Sequence, residues 1–160
     1  MVNIPVSRRR VMVRPRPFYF FYYPPQAIEQ VLCINLGGAV IPVAFSAYLL
    51  LTRAPLLPSL IGMAAVAAVA MLLARPVPGV GISLPAFIPP LVAAAVAIIA
   101  GGEAAAPVGY ISGSMGTLVG ADLLNLRAIR SLEAQVVSIG GAGVFDGIFL
   151  VGFVVSFLSW

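Results

Sequence analysis

Long apolar stretches with almost no charge between them are the feature that most limits what this chain can fold into. Of its 160 residues, 61% are hydrophobic and only 9% are charged, and the mean hydropathy is +1.09. A water-soluble domain has roughly a quarter charged residues, so this composition is typical of a membrane protein. It predicts an all-α polytopic fold, a bundle of about five transmembrane helices.

Prolines, glycines and arginines divide the apolar sequence and set the expected limits of the helices. We expect a basic and aromatic segment at 1–26 and a single transmembrane domain at 27–160. Its predicted spans are 27–51, 55–74, 84–101, 104–126 and 142–160. Prolines leave only 91–100 uninterrupted in the third segment, about 15 Å of helix against a hydrocarbon core of about 30 Å. This segment therefore either includes 84–90 and crosses, or is a re-entrant half-helix.

The nine arginines predict the orientation of the chain, which has no lysine and no histidine. Five of them precede the first predicted span, beside an aromatic run at 18–23 that is typical of a membrane interface. With five spans, eight arginines fall on one face and only Arg53 on the other. The positive-inside rule then predicts a cytoplasmic N-terminus and a multi-pass protein of the cell membrane. Such a cluster contacts lipid headgroups, so we expect the lipid bilayer, and no nucleic acid, as partner.

Several kinds of site are excluded by composition. Cys33 is the only cysteine, and without histidine the commonest transition-metal ligand and general base is missing. There is no nucleotide-binding loop and no convincing metal-site spacing, so the sequence predicts no cofactor and no metal. Acid–base chemistry is left to five carboxylates, Glu29, Glu103, Asp122, Glu133 and Asp146.

Asp122 and Asp146 are the strongest candidates for a functional site. Each lies in one of the last two predicted spans, and an ionisable group inside a membrane segment is costly and usually functional. The predicted topology places both towards the cytoplasmic ends of adjacent antiparallel helices. Two neighbouring carboxylates with separated pKa values can activate water and polarise a carbonyl, as in aspartic proteases. The pair therefore predicts a catalytic site for cleavage of a transmembrane peptide.

The surroundings of the two aspartates include several residues in supporting roles. Four glycines form one stripe on the fourth predicted span, Gly109, Gly113, Gly116 and Gly120. At α-helical spacing, Asp122 falls on roughly the opposite side together with Ser114 and Asn125, and Thr117 flanks it. In the fifth span, Gly143 and Gly147 allow another backbone to approach Asp146.

Other interpretations of the same residues remain open. Asp146 could cap a helix N-terminus, and Asp122 could pair with Arg127 or Arg130 at the membrane edge. The polar face of the fourth span could instead form an ion or proton pathway. The alternatives to a hydrolase are therefore a small ion- or proton-coupled transporter or channel component, and a non-catalytic membrane scaffold.

Four blocks of sequence carry a resemblance to a known family. They are CINLGGAVIP (33–42), ARPVPGVGI (74–82), YISGSMGTLVGADLLNL (110–126) and VSIGGAGVFDGIFLVG (137–152). In this order they resemble a group of uncharacterised archaeal and bacterial polytopic membrane proteins, known as a domain of unknown function. The resemblance covers about 27–157 and implies a membrane protein of unestablished activity. The same resemblance implies an additional N-terminal span. This sequence would lack that span if it is a shortened form or if its start is misassigned.

The aspartates are more loosely similar to those of the presenilin and signal-peptide-peptidase group, which has one catalytic aspartate on each of two neighbouring helices. This resemblance implies catalytic roles for Asp122 and Asp146. The group's Gly-x-Gly-Asp motif is replaced by Gly-Val-Phe-Asp at 143–146, and Ala121 stands in place of a tyrosine. The group's Pro-Ala-Leu motif follows both aspartates, whereas the nearest match here, at 84–86, precedes them.

Overall fold

The computed structural model describes residues 2–13, 26–77, 81–132 and 134–158. The predicted aromatic interface at 18–23 lies outside these residues, as does Glu133. Five strands are formed: β1 (Asn3–Val13), β2 (Gln26–Asn35), β3 (Arg75–Val77), β4 (Gly81–Ser83) and β5 (Val136–Ile139). The α-helices are α1 (Ile41–Thr52), α2 (Leu56–Leu73), α3 (Ile88–Ala100), α4 (Ala105–Thr117), α5 (Leu126–Ser131) and α6 (Ala142–Ser156). Shorter helical turns are two π-helical segments, Leu36–Val40 and Leu118–Leu123, and one 3₁₀ turn, Gly102–Ala104.

The prediction of an all-α bundle with five spans is wrong. The described chain contains a three-stranded and a two-stranded sheet, and only α2 is long and apolar enough to cross a membrane. The first predicted span begins as a strand, β2, and becomes helical only at Leu36. A mean hydropathy cannot separate the two, because a buried strand and a buried helix are equally apolar. β-Branched residues such as Val31 and Ile34 favour the strand.

The larger sheet has the order β1-β2-β5. β1 pairs antiparallel with β2, from Asn3 opposite Asn35 to Val13 opposite Gln26, with an irregularity next to Pro5. Proline has no N–H to donate to the ladder, which suits an edge strand. β5 pairs with the other edge of β2 in the parallel direction. The carboxyl ends of β2 and β5 therefore lie side by side.

Helix α4 is the centre of the helical layer and packs against α1, α2, α3 and α6. Its glycines meet the neighbouring helices in this order: Gly109 with Val155, Gly113 with Val151, Gly116 with Val66, and Gly120 with Ala67. The first two pairs show that α6 is antiparallel to α4, and the last two show that α2 is parallel to it. A methyl group on Gly113 would overlap with Val151, so the glycine stripe is what allows the helices to approach closely.

These helix directions give the molecule two different ends. α1 and α6 start from the sheet, and α2 and α4 end near it, so we call this the sheet end and the opposite one the far end. The far end carries the turn at Arg53 and the 3₁₀ turn with Glu103. At the sheet end, β2 and β5 each lead through a Gly-Gly-Ala sequence into their helices, at 37–39 and 140–142.

The two Gly-Gly-Ala segments touch each other through their backbones. A side chain on Gly38 would overlap with the carbonyl oxygen of Gly140, and Gly140 itself has a φ of +69°, a conformation that L-residues rarely adopt. The Asn35 side chain accepts a hydrogen bond of 2.7 Å from the Gly38 N–H and so holds the start of the first π-helical segment. This contact joins the sheet to the helical layer.

We expect Gly38→Ala to lower the free energy of unfolding by about 2–3 kcal/mol, because the added methyl group must displace the Gly140 backbone. Thermal or denaturant unfolding in detergent measures the change. Gly37→Ala is the matched control, since its methyl group would meet the Phe145 ring at an ordinary 3.5 Å. The control should stay within about 0.5 kcal/mol of the wild type. Equal stability of the two variants would contradict a tight backbone contact.

Candidate functional site

Asp122 lies where the helical layer meets the sheet. It belongs to the second π-helical segment, beyond the end of α4, and only 1% of its surface is exposed. Its Oδ2 accepts a hydrogen bond of 2.5 Å from the Gly140 N–H. The carboxylate thus lies at the junction of β5 and α6, next to the backbone contact with Gly38.

The wide turn after α4 determines which way Asp122 faces. In the segment Leu118–Leu123 each residue advances by less than the 100° of an α-helix. Asp122 is therefore rotated towards the side of Ser114 and Thr117, which face α1 and α6. Asn125 stabilises the turn by donating from Nδ2 to the Gly120 carbonyl at 3.0 Å. π-Helical turns of this kind are frequent at functional sites.

Burial removes water from the Asp122 carboxyl group, and the hydrogen bond from the Gly140 N–H replaces part of the lost hydration. Among the described residues, no arginine forms an ion pair with Asp122. Arg127 and Arg130, which were predicted as possible partners of Asp122, are both exposed on α5.

Asp146 has a different environment from Asp122. It lies in the second turn of α6, its side chain is exposed, and the N-cap of this helix is Gly141. Within the described chain, no hydrogen bond joins the two carboxylates. They share the sheet end of the molecule but differ sharply in burial. A catalytic pair of Asp122 and Asp146 stays a prediction.

The residues predicted to support the two aspartates lie either on α4 and the turn after it or on α6. Ser114 and Thr117 are fully buried on α4, and the Thr117 hydroxyl has no hydrogen-bond partner in the described part of the chain. Gly147 lies across from Thr117, since a methyl group on it would be 3.8 Å from the Thr117 Cγ2. Asn125 contacts the turn, as described above, and Gly143 belongs to the first turn of α6.

Polar side chains continue from Asp122 through the helical layer. Tyr110 lies one turn from Ser114, nearer the far end of α4. Tyr110 also borders a cavity of about 340 Å³ between α1, α4 and α6, which Arg53 lines as well. Asp122, Thr117, Ser114 and Tyr110 follow one another along α4 and the turn after it, and are here called the polar row. The Ser114 and Thr117 hydroxyls have no hydrogen-bond partner in the described residues.

Sequence reasoning missed a second group of polar contacts beside Asp122. Asn35 Nδ2 donates to Asn3 Oδ1 at 2.9 Å, and the Ser138 hydroxyl donates to the same Asn3 oxygen at 3.0 Å. These bonds tie all three strands of the larger sheet together. The two Gly-Gly-Ala sequences, at 37–39 and 140–142, could have indicated this arrangement. Each follows a run with β-branched residues, as expected for two strands that end at the same side of a sheet.

Comparison with known proteins gives a family and no characterised relative. Residues 1–158 match the family model described as "Protein of unknown function (DUF1614)". No curated protein and no solved structure matches the chain. Within the described residues, no group of three or more histidine, cysteine or acidic side chains could hold a metal ion.

Proposed function

We propose that this chain, which belongs to the DUF1614 family, is a membrane protein that moves protons along the polar row of α4. In this proposal α2 crosses the lipid bilayer, the shorter helices pack beside it, and the sheet end faces the cytoplasm. The observation that carries the proposal is the buried Asp122 carboxylate, aligned with Thr117, Ser114 and Tyr110 inside an apolar layer.

A location in the bilayer is supported by the outer surface of the helices. Large apolar side chains point away from the core on α1, α2, α3 and α6, for example Leu51, Leu72, Ile99 and Phe149, with exposures of 85%, 82%, 84% and 65%. Soluble monomers rarely expose contiguous apolar patches beyond a few hundred Å². Lipid chains would cover this surface without further partners. We therefore propose residence in the cell membrane.

The distribution of charge supports the orientation. Among the arginines that the structure describes, Arg53 is the one at the far end, and the sheet end carries Arg8, Arg9, Arg10, Arg75, Arg127 and Arg130. Cytoplasmic faces of membrane proteins carry such an excess of arginine. The far end, with Arg53 and Glu103, would then face outward.

Proton transfer is favoured over peptide hydrolysis by the difference between the two aspartates. A hydrolase of the aspartic type needs two carboxylates that share one water molecule, whereas Asp122 is buried and Asp146 is exposed. A proton pathway needs one buried titrating group and a chain of hydroxyls. The Thr117 and Ser114 hydroxyls are buried without a partner in the described residues, so water molecules between them and Asp122 would have to complete the relay.

In proteoliposomes, wild-type protein should carry a potential-driven proton current, followed with an internal pH dye. Asp122→Asn should reduce the current to that of protein-free liposomes, because the amide does not titrate. Thr117→Val, which removes one hydroxyl of the polar row and keeps a similar shape, should lower it substantially. Asp146→Asn is the matched control and should conduct like the wild type.

The same proteins should be incubated with a helical transmembrane peptide. Cleavage that is lost in both Asp122→Asn and Asp146→Asn, without a proton current, would instead support the di-aspartyl hydrolase. A current that survives in Asp122→Asn would contradict the proposed pathway. Neither activity in folded wild-type protein would favour a non-catalytic scaffold.

The proposed orientation predicts which surface positions are accessible from outside the cell. In a Cys33→Ala background, Glu103→Cys should react with a membrane-impermeant maleimide in intact cells. Ser131→Cys, exposed on α5 at the sheet end, should react only after the membrane is permeabilised. Labelling of both positions in intact cells, or recovery of the protein without detergent, would contradict the proposed location.

A further inference from the structure

Three arginines at the sheet end form a surface that the proposed proton pathway does not use. They are Arg9 on the edge strand β1 and Arg127 and Arg130 on α5, here called the basic patch. All three are exposed, and Arg9 Nη2 donates a hydrogen bond of 2.9 Å to the Arg130 carbonyl oxygen. This bond fastens β1 to α5 and places the Arg9 guanidinium against the backbone of the helix that carries Arg127 and Arg130.

Helix α5 presents its arginines in a fixed direction. Ile129, 1% exposed, packs into the core of the sheet end and holds the short helix against it. Arg127 and Arg130 are three positions apart and therefore lie on the same side of the helix. The central strand β2 also fixes the end of α5, because the Gln30 side chain donates to the Leu132 carbonyl at 2.6 Å.

Exposed leucines lie directly beside the basic patch. Leu123 and Leu124, 46% and 54% exposed, immediately precede α5. Within about one helical turn, the side chains on the surface therefore change from leucine to arginine. The surface of a bilayer shows the same change of polarity, from acyl chains to phosphate groups.

The local charge also favours an anion. The described carboxylates of the sheet end are Glu29, Asp122 and Asp146, and Asp122 is buried, whereas six arginines belong to this end. Guanidinium groups bind phosphate oxygens in bidentate fashion, which suits arginine better than lysine for this ligand. A nucleic acid would also match the charge, but it has no counterpart for the exposed Leu123 and Leu124.

We infer that the basic patch binds the phosphate headgroup of anionic phospholipids in the leaflet at the sheet end. Arg127 and Arg130 contact the phosphate, Arg9 holds α5 in place, and Leu123 and Leu124 contact the acyl chains. The inference rests on the proposed membrane location but not on the proton pathway, since none of these side chains belongs to the polar row.

The test measures binding of fluorescent phosphatidylglycerol to the full chain in nonionic detergent, with phosphatidylcholine as the neutral lipid. Wild-type protein should prefer phosphatidylglycerol, and added salt should weaken the binding. The double variant Arg127→Gln/Arg130→Gln should bind it about 30-fold more weakly, since each arginine near an anionic surface contributes about 1 kcal/mol. Arg53→Gln, at the far end, is the matched control and should bind like the wild type.

Three results would overturn the inference: undiminished binding by the double variant, equal affinity for phosphatidylcholine, or competition by free glycerol phosphate as strong as by the lipid. Thermal unfolding without lipid checks that the double variant is folded. If it is not, the single variant Arg127→Gln should still bind about fivefold more weakly. Asp122→Asn should bind lipid normally, so a failed proton assay and a failed lipid assay remain distinguishable.

Discussion

The hydrogen bond from the Gly140 N–H to the Asp122 carboxylate is the interaction on which the rest of the molecule depends. It joins the end of α4 to the start of α6 at the point where the Gly140 backbone meets Gly38. Because α1 and α6 both begin there, their positions in the layer follow from this contact. The cost is a carboxylate removed from water, which Gly140 offsets only in part.

The helical part of the fold is largely encoded in hydropathy, and the sheets are not. Residues 56–73 contain no charge and no internal break other than Pro58 near the start, so an apolar helix follows from composition alone. Residues 26–35 mix apolar side chains with Glu29, Gln30 and Asn35, and their strand partner is the arginine-rich segment 3–13, which composition alone presents as a water-exposed tail. Strand pairing depends on distant residues, and no local average contains that information.

The sequence identified Asp122 as an unusual residue, but it did not predict the geometry of the candidate site. A lone aspartate in an apolar run marked Asp122 correctly as unusual, and its burial follows from that setting. α-Helical spacing placed Asp122 on one side with Ser114 and Asn125, and it did not predict the wide turn Leu118–Leu123. Asn125 instead bonds the Gly120 carbonyl and stabilises that turn. Asn35 holds a strand end through Asn3, 32 positions away, and no local pattern predicts such a distant contact.

The parallel pairing of β2 with β5 also constrains the order in which the chain can assemble. Gln30 and the Leu132 carbonyl, which lie 102 positions apart, meet along this edge. During synthesis β2 leaves the ribosome early, and its free edge stays unpaired until all the helices from α1 to α5 have been made. Closure of such a distant contact is slow, and an open strand edge is prone to pair with other chains. The third strand can therefore join the sheet only after α1 to α5 have been made, and α6 follows it in the chain.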